Sequence, residues 1–105
     1  MKHDLGRYAG PAALILTSLA NGTKHGYALT KDIEDFAGLR LQPGTLYAAL
    51  DRLEENQLIE SLPAEGRRHP YRLTPSGAEA LHEQLTSQKL IAGIGLSRLA
   101  TGRAL

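Results

Sequence analysis

Cysteine is absent from this 105-residue chain, which excludes both a disulfide framework and a thiolate-held metal. Tryptophan is absent too, and the chain has one phenylalanine, so no large aromatic cluster marks a ligand cage. The four histidines, His3, His25, His69 and His82, are scattered, with no HxxxH pair or neighbouring carboxylate at ligand spacing. Metal and cofactor are therefore expected to be none. The serines lack a nucleophile-elbow motif, and the Gly-rich NGTKHG at 21–26 lacks the spacing of a phosphate-binding loop. No catalytic reading survives, and an enzyme is not expected. No apolar run approaches the length of a membrane span, and the N-terminus has no apolar signal core. The default expectation is a soluble cytoplasmic protein without a membrane partner.

What is present is the material of one folded domain. A hydrophobic fraction of 42% is ordinary for a globular protein, and no charge block or low-complexity tract suggests disorder. The net charge of +1 says little until it is mapped. Residues 41–60 set Arg52 against Asp51, Glu54, Glu55 and Glu60, a net of −3. Residues 61–72 set Arg67, Arg68 and Arg72 against Glu65, a net of +2, with His69 beside them. A polyanion would be attracted by the second segment, with the acidic one turned away.

The stretch 41–62, LQPGTLYAALDRLEENQLIESL, organises the rest. Leu46, Ala49, Leu50 and Leu53 recur at the spacing of one buried helical face. Thr45, Ala48, Asp51, Arg52 and Glu55 fall on the opposite face, and Pro43 suits the first turn. The short apolar run 58–62 reads as a strand. Upstream, Gly10-Pro11 precedes a nearly apolar helix with Ala12, Ile15, Leu16 and Leu19 as its stripe, stopped by Asn21-Gly22, and central to the core. A second helix opens at Thr23 or Lys24, turns Leu29, Ile33 and Phe36 to one side, and ends at Gly38. Two helices joined by about four residues fit a helix-turn-helix. Downstream, 59–62 and 70–73 read as the arms of a hairpin joined by a polar, basic loop at 63–69. Such a loop is longer than a tight turn needs and suits binding.

Thr74-Pro75 is a helix start, a hydroxyl N-cap followed by proline. The last helix carries Ala78, Leu81, Leu85, Ala92, Leu96 and Leu99 on one side, with Leu90, Ile91 and Ile94 widening the stripe. With no partner left in a three-helix core, this face is expected to be a dimer interface through Leu81, Leu85, Ala92, Leu96 and Leu99. Gly93 and Gly95 either break this helix or admit a close neighbour. Residues 101–105 are expected to fray, and 1–9 form an arm or a short extra helix. The expected fold is mainly α with a small β-hairpin: a winged helix-turn-helix over 1–74 and a dimerisation helix over 75–105.

Four motifs, HGY at 25–27, PGTLY at 43–47, LEENQLIE at 53–60 and YRLTPSG at 71–77, stand in an order and spacing that resembles the PadR family of bacterial transcriptional regulators. The resemblance covers residues 14–81, and the single C-terminal helix looks like the short subfamily. It implies a homodimeric winged helix that binds double-stranded operator DNA, usually as a repressor. Two positions depart from the family pattern. Gln42 stands where many members have serine, and Ala48 where proline or a longer side chain is frequent.

On that footing the third helix, through Gly44, Thr45, Tyr47, Ala48 and Arg52, enters the major groove. Arg52 is explained equally by an intrahelical pair with Glu55. Arg67, Arg68 and His69 meet phosphate or the minor groove. Lys24 and His25 lie where a helix N-terminus attracts phosphate, while His25 and Tyr27 serve equally well as capping and packing groups. A compatible further expectation is a small aromatic effector between the C-terminal helix and the core, with Tyr8 in its lining. The alternative function is a winged helix used as a protein–protein module, which the acidic end of the third helix favours.

Overall fold

The computed structural model describes residues 10–104, so the expected arm or helix over 1–9, and Tyr8 with it, lies outside the described residues. The elements in chain order are α1 (Pro11–Leu19), α2 (Gly26–Ala37), α3 (Pro43–Glu55), β1 (Ile59–Ser61), β2 (Tyr71–Leu73) and α4 (Pro75–Ala104). None of the described helices is long and apolar enough to cross a membrane.

α1 is the hub, with α2, α3 and the start of α4 all packed on it. It is apolar on almost every side and buries Ala13, Leu14, Ile15, Leu16 and Leu19, while Ala12 faces outward. Its one buried polar side chain, Ser18, donates to Asp32 Oδ2 of α2 at 2.6 Å, which removes the cost of hiding a hydroxyl. α2 ends where Gly38 takes the left-handed conformation, φ 68°, and donates its N–H to the Glu34 carbonyl. Its buried row runs Leu29, Ile33 and then half-buried Ala37, an i, i+4, i+8 series. Phe36, expected on that side, falls beside the row and is exposed. α3 keeps the expected register: Leu46, Leu50 and Leu53 are buried and Ala49 is half-buried.

The sheet is a two-stranded antiparallel ribbon pairing Ile59 with Leu73, Glu60 with Arg72 and Ser61 with Tyr71. Arg72 Nε donates to Glu60 Oε1 at 2.8 Å across the strands. Lys24, just ahead of α2, exchanges both backbone hydrogen bonds with Tyr71 (3.2 and 2.9 Å) and so adds a one-residue third strand. Beyond the ribbon the 63–69 segment closes on itself. Glu65 and Arg68 exchange backbone bonds around Gly66-Arg67, with Gly66 at φ 65°. A glycine at that first central position suits a tight primed hairpin turn. The wing tip is thus a small second hairpin rather than an open loop.

Thr74 caps α4 as expected: its Oγ1 accepts from Gly77 N–H at 3.0 Å and donates to the Gln57 carbonyl at 2.7 Å. Gly77 is a requirement of space, since a Cβ there would overlap the Leu58 carbonyl oxygen. This close approach seats the first turns of α4 on the core and buries Leu81. Leu81 is therefore corrected from interface residue to core residue, and the folded unit continues past the boundary at 74. From Leu85 onward the helix leaves the body. Gly93 and Gly95 do not interrupt it, and it runs to Ala104 instead of fraying from 101. Leu85, Leu90, Ile91, Ile94, Leu96 and Leu99 along it are exposed.

Candidate nucleic-acid interface

α3 is held by its inner face, so its first two turns project Gly44, Thr45, Tyr47 and Ala48 outward, all of them exposed. Gln42 occupies the N-cap without a side-chain hydrogen bond to the helix. Tyr47 is half-exposed, and its ring lies over Gly26, where any Cβ would overlap the phenol. The glycine of HGY and the tyrosine of PGTLY are therefore one contact, which sets the spacing between α2 and α3.

The wing folds back onto the same place. Arg68 stands 5.9 Å above the Tyr27 ring, a cation–π distance. Its Nη1 lies 3.2 Å from His25 Nε2, while His25 Nδ1 accepts from Ala28 N–H at 3.3 Å as the N-cap of α2. A neutral imidazole has one acceptor nitrogen, so the ring cannot satisfy both donors. The helix cap is the fixed partner, because its donor is backbone. Arg68 is the one that can leave.

His25, Tyr27, Tyr47, Arg67, Arg68 and His69, with Gly26 and Tyr71, thus surround a hollow of about 170 Å³ between α2, α3 and the wing. Burial pushes the Tyr71 phenol above its ordinary value, with Glu54, Tyr47 and Asp51 adding to the effect. Arg67 and His69 are exposed, and no ion pair engages Arg67 among the described residues.

Thr45, Ala48 and Arg52 fall on the other flank of α3. With Gly10, Pro11, Leu53 and Gln84 they line a groove of about 520 Å³ between α1, α3 and α4. Among the described residues Arg52 makes no ion pair with Glu55. Lys24 is in neither hollow. Its Nζ turns inward to the Ser18 carbonyl, to Asn21 Oδ1 at 2.5 Å and to Asp32 at 4.0 Å, with the side chain 16% exposed. Lys24 is therefore corrected from phosphate ligand to a tie across the α1–α2 corner.

Sequence reasoning also missed a staple at the acidic end of α3. Glu54 Oε2 accepts from Ser61 N–H at 3.3 Å and from Ser61 Oγ at 2.5 Å, which fastens the helix to β1. Glu54 and Ser61 lie on different elements, a helix and a strand, so no single period relates them and only the fold brings the two together. Asp51 and Glu55 remain as an exposed acidic pair on the last turns.

Comparison with known proteins places these features. The model of the transcriptional regulator PadR-like family matches residues 15–83. Transcriptional regulator Rv3488 of Mycobacterium tuberculosis is 43% identical over 72 residues, 66% of each chain. An uncharacterized 37.1 kDa protein in transposon Tn4556 of Streptomyces fradiae is 46% identical over 80 residues, 76% of this chain and 23% of that one. The chain thus spans about a quarter of one curated relative and two thirds of the other. The structure of a transcriptional regulator from Clostridium thermocellum superposes with a TM-score of 0.74 at 29% identity, covering 90% of this chain and 93% of that one. The family model spans well over half of the chain and the superposition covers nine tenths of it, and the chain belongs to the PadR-like family of transcriptional regulators.

Proposed function

We propose that this chain binds double-stranded operator DNA as a homodimer and acts as a transcriptional repressor. The observation that carries the reading is the convergence of Tyr27, Tyr47 and the wing arginines beside the bare first turns of α3. Those turns enter the major groove, while Arg67, Arg68 and His69 follow the backbone or the minor groove. Asp51 and Glu55 restrict entry to the N-terminal half of α3, because carboxylates repel phosphate.

Pairing runs through the exposed apolar stripe of α4, with Leu85, Ala92, Leu96 and Leu99 on one side. Two copies then read half-sites one duplex turn apart, about 34 Å. The α1–α3–α4 groove has the size of a small-molecule site. An aromatic effector seated there would touch Thr45 and Ala48 and so compete with DNA. The protein–protein alternative keeps only the Asp51–Glu55 pair in its favour, since Glu54 is engaged by Ser61.

The test is a fluorescence-anisotropy titration of the chain against the promoter duplex of its own gene and a scrambled duplex, with sedimentation in parallel. Saturable, promoter-preferring binding by a dimer supports the proposal. Absence of binding in dilute salt, or a monomer at micromolar concentration, refutes it. Thermal shifts against phenolic and cationic aromatics test the effector, and a flat panel removes it.

A further inference from the structure

The outward crest of α3 has an unusual composition where it would reach deepest. Across its first two turns the exposed side chains are those of Pro43, Thr45, Tyr47 and Ala48, with Gly44 contributing none. Neither arginine nor lysine stands there, and the first long cation on the helix is Arg52, in the third turn between Asp51 and the acidic pair at 54–55. The fork that reads guanine through O6 and N7 is therefore missing from the part of the helix nearest the bases. Thr45 and Ala48 present methyl groups instead, and Gly44 and Ala48 have so little bulk that the helix can approach closely. Methyl groups of Thr and Ala make apolar contact with the C5-methyl of thymine, which is exposed in the major groove. Gln42 adds a polar reader. Its carboxamide is exposed and makes no cap bond, and a glutamine amide matches the N6 and N7 pair of adenine.

We infer that α3 of this chain is an A·T reader, with Thr45 and Ala48 packing on thymine methyls and Gln42 on an adenine at the start of the helix. The inference rests on the DNA-binding reading above and narrows it to a class of base pair. Gln42, a weak cap by composition, acquires a reason to be there. Arginines entering the minor groove would also favour A·T-rich DNA, so the α3 contribution is isolated by the thymine methyl, which lies only in the major groove.

The experiment has two stages, both with the full chain. A random duplex library is first enriched by binding, then each thymine of the winning site is replaced by uracil, which removes only the methyl. The expected result is an A·T-rich stretch in each half-site, with one or two positions at which uracil weakens binding about fourfold, the effect of one buried methyl. Thr45→Ser, which keeps the hydroxyl, should abolish the uracil penalty at one such position, and Ala48→Gly at the other. Gln42→Ala should lower the preference for adenine at one position about tenfold. Circular dichroism of each variant separates lost contact from lost helix.

Half-sites with G·C at the positions protected by α3, or full tolerance of uracil at every thymine, would overturn the inference while leaving DNA binding intact. No enrichment of any duplex would instead overturn the function on which it stands.

Discussion

In the proposed DNA-bound dimer, replacing Arg67 and Arg68 together by alanine should remove about four phosphate-facing guanidinium groups. Each neutralised phosphate contributes about 0.9 to the slope of log K against log salt, so the slope should flatten by about 3.6. Between about 50 and 200 mM salt, that difference corresponds to a loss of roughly 150-fold in the salt sensitivity of binding. The two arginines are not equivalent in the free protein. Arg67 has no ion-pair partner among the described residues, whereas Arg68 must first leave the Tyr27 ring and His25. An exposed cation–π contact is worth about 0.5–1 kcal/mol, so Arg68→Ala should gain back part of what it loses and weaken binding less than Arg67→Ala. Fluorescence anisotropy of a labelled duplex over a salt series measures both quantities, and a melting curve controls for folding. A double variant that binds with the wild-type slope would remove the wing from the interface. A double variant that loses affinity equally at every salt would refute the electrostatic account.

Three other outcomes follow from the packing. Gly77→Ala should cost about 1–3 kcal/mol by forcing a methyl against the Leu58 carbonyl, where backbone cannot yield cheaply; an unchanged denaturant midpoint would mean that α4 does not sit where described. Because the folded state holds the Tyr71 proton more tightly than the unfolded chain, its contribution is intact below pH 10 and is lost as pH rises through the raised value. Urea midpoints taken from pH 8 to 11 should therefore fall less steeply for Tyr71→Phe than for wild type, and parallel curves would contradict the burial assigned to that ring. Leu81→Ala should lower protomer stability by about 2–5 kcal/mol, while Leu96→Ala with Leu99→Ala should weaken self-association at nearly constant protomer stability. Sedimentation and melting together check the pair, and the reverse pattern would exchange the roles of the two halves of α4.

The helices, the hairpin and the N-cap at Thr74 were legible because each has a local signature: a period, a proline or a hydroxyl at a fixed offset. Lys24 was misread for the opposite reason. A lysine ahead of a helix looks the same whether it faces solvent or ties α1 to α2, and a one-residue strand has no period to detect. Leu81 belongs to the same apolar stripe as Leu85 and Leu99, so spacing alone could not separate the part that meets the protomer core from the part that does not. That distinction is made by Gly77, whose missing side chain lets the helix sit down on Leu58. Phe36 was placed by counting residues, but the buried row of α2 follows i+4 steps to Ala37 and passes it by. The basic wing was legible as composition, yet its fold-back onto His25 and Tyr27 depends on a turn at Gly66-Arg67 that composition does not specify.

The outer half of α4 poses the remaining physical question. Thirty residues of helix span about 45 Å, and only the first turns rest on the body. Beyond Leu85 no neighbour among the described residues buries the side chains of the helix, and two interior glycines each cost about 1 kcal/mol relative to alanine. Most of the stability of a protein helix comes from packing of its apolar face rather than from intrinsic propensity. Leucine and isoleucine side chains offset this cost only when covered, at about 1.5–3 kcal/mol each, and Leu90, Ile91, Leu96 and Leu99 are all more than half exposed. They also point to more than one side, so a single flat contact would leave some of them wet, and the glycines admit a second backbone at close range. If the proposed dimer forms through this face, stabilisation of the outer helix and association with a second copy are one transition. In the proposed dimer the spacing of the two α3 helices, and hence the operator, then depends on an element that is stabilised by its partner copy.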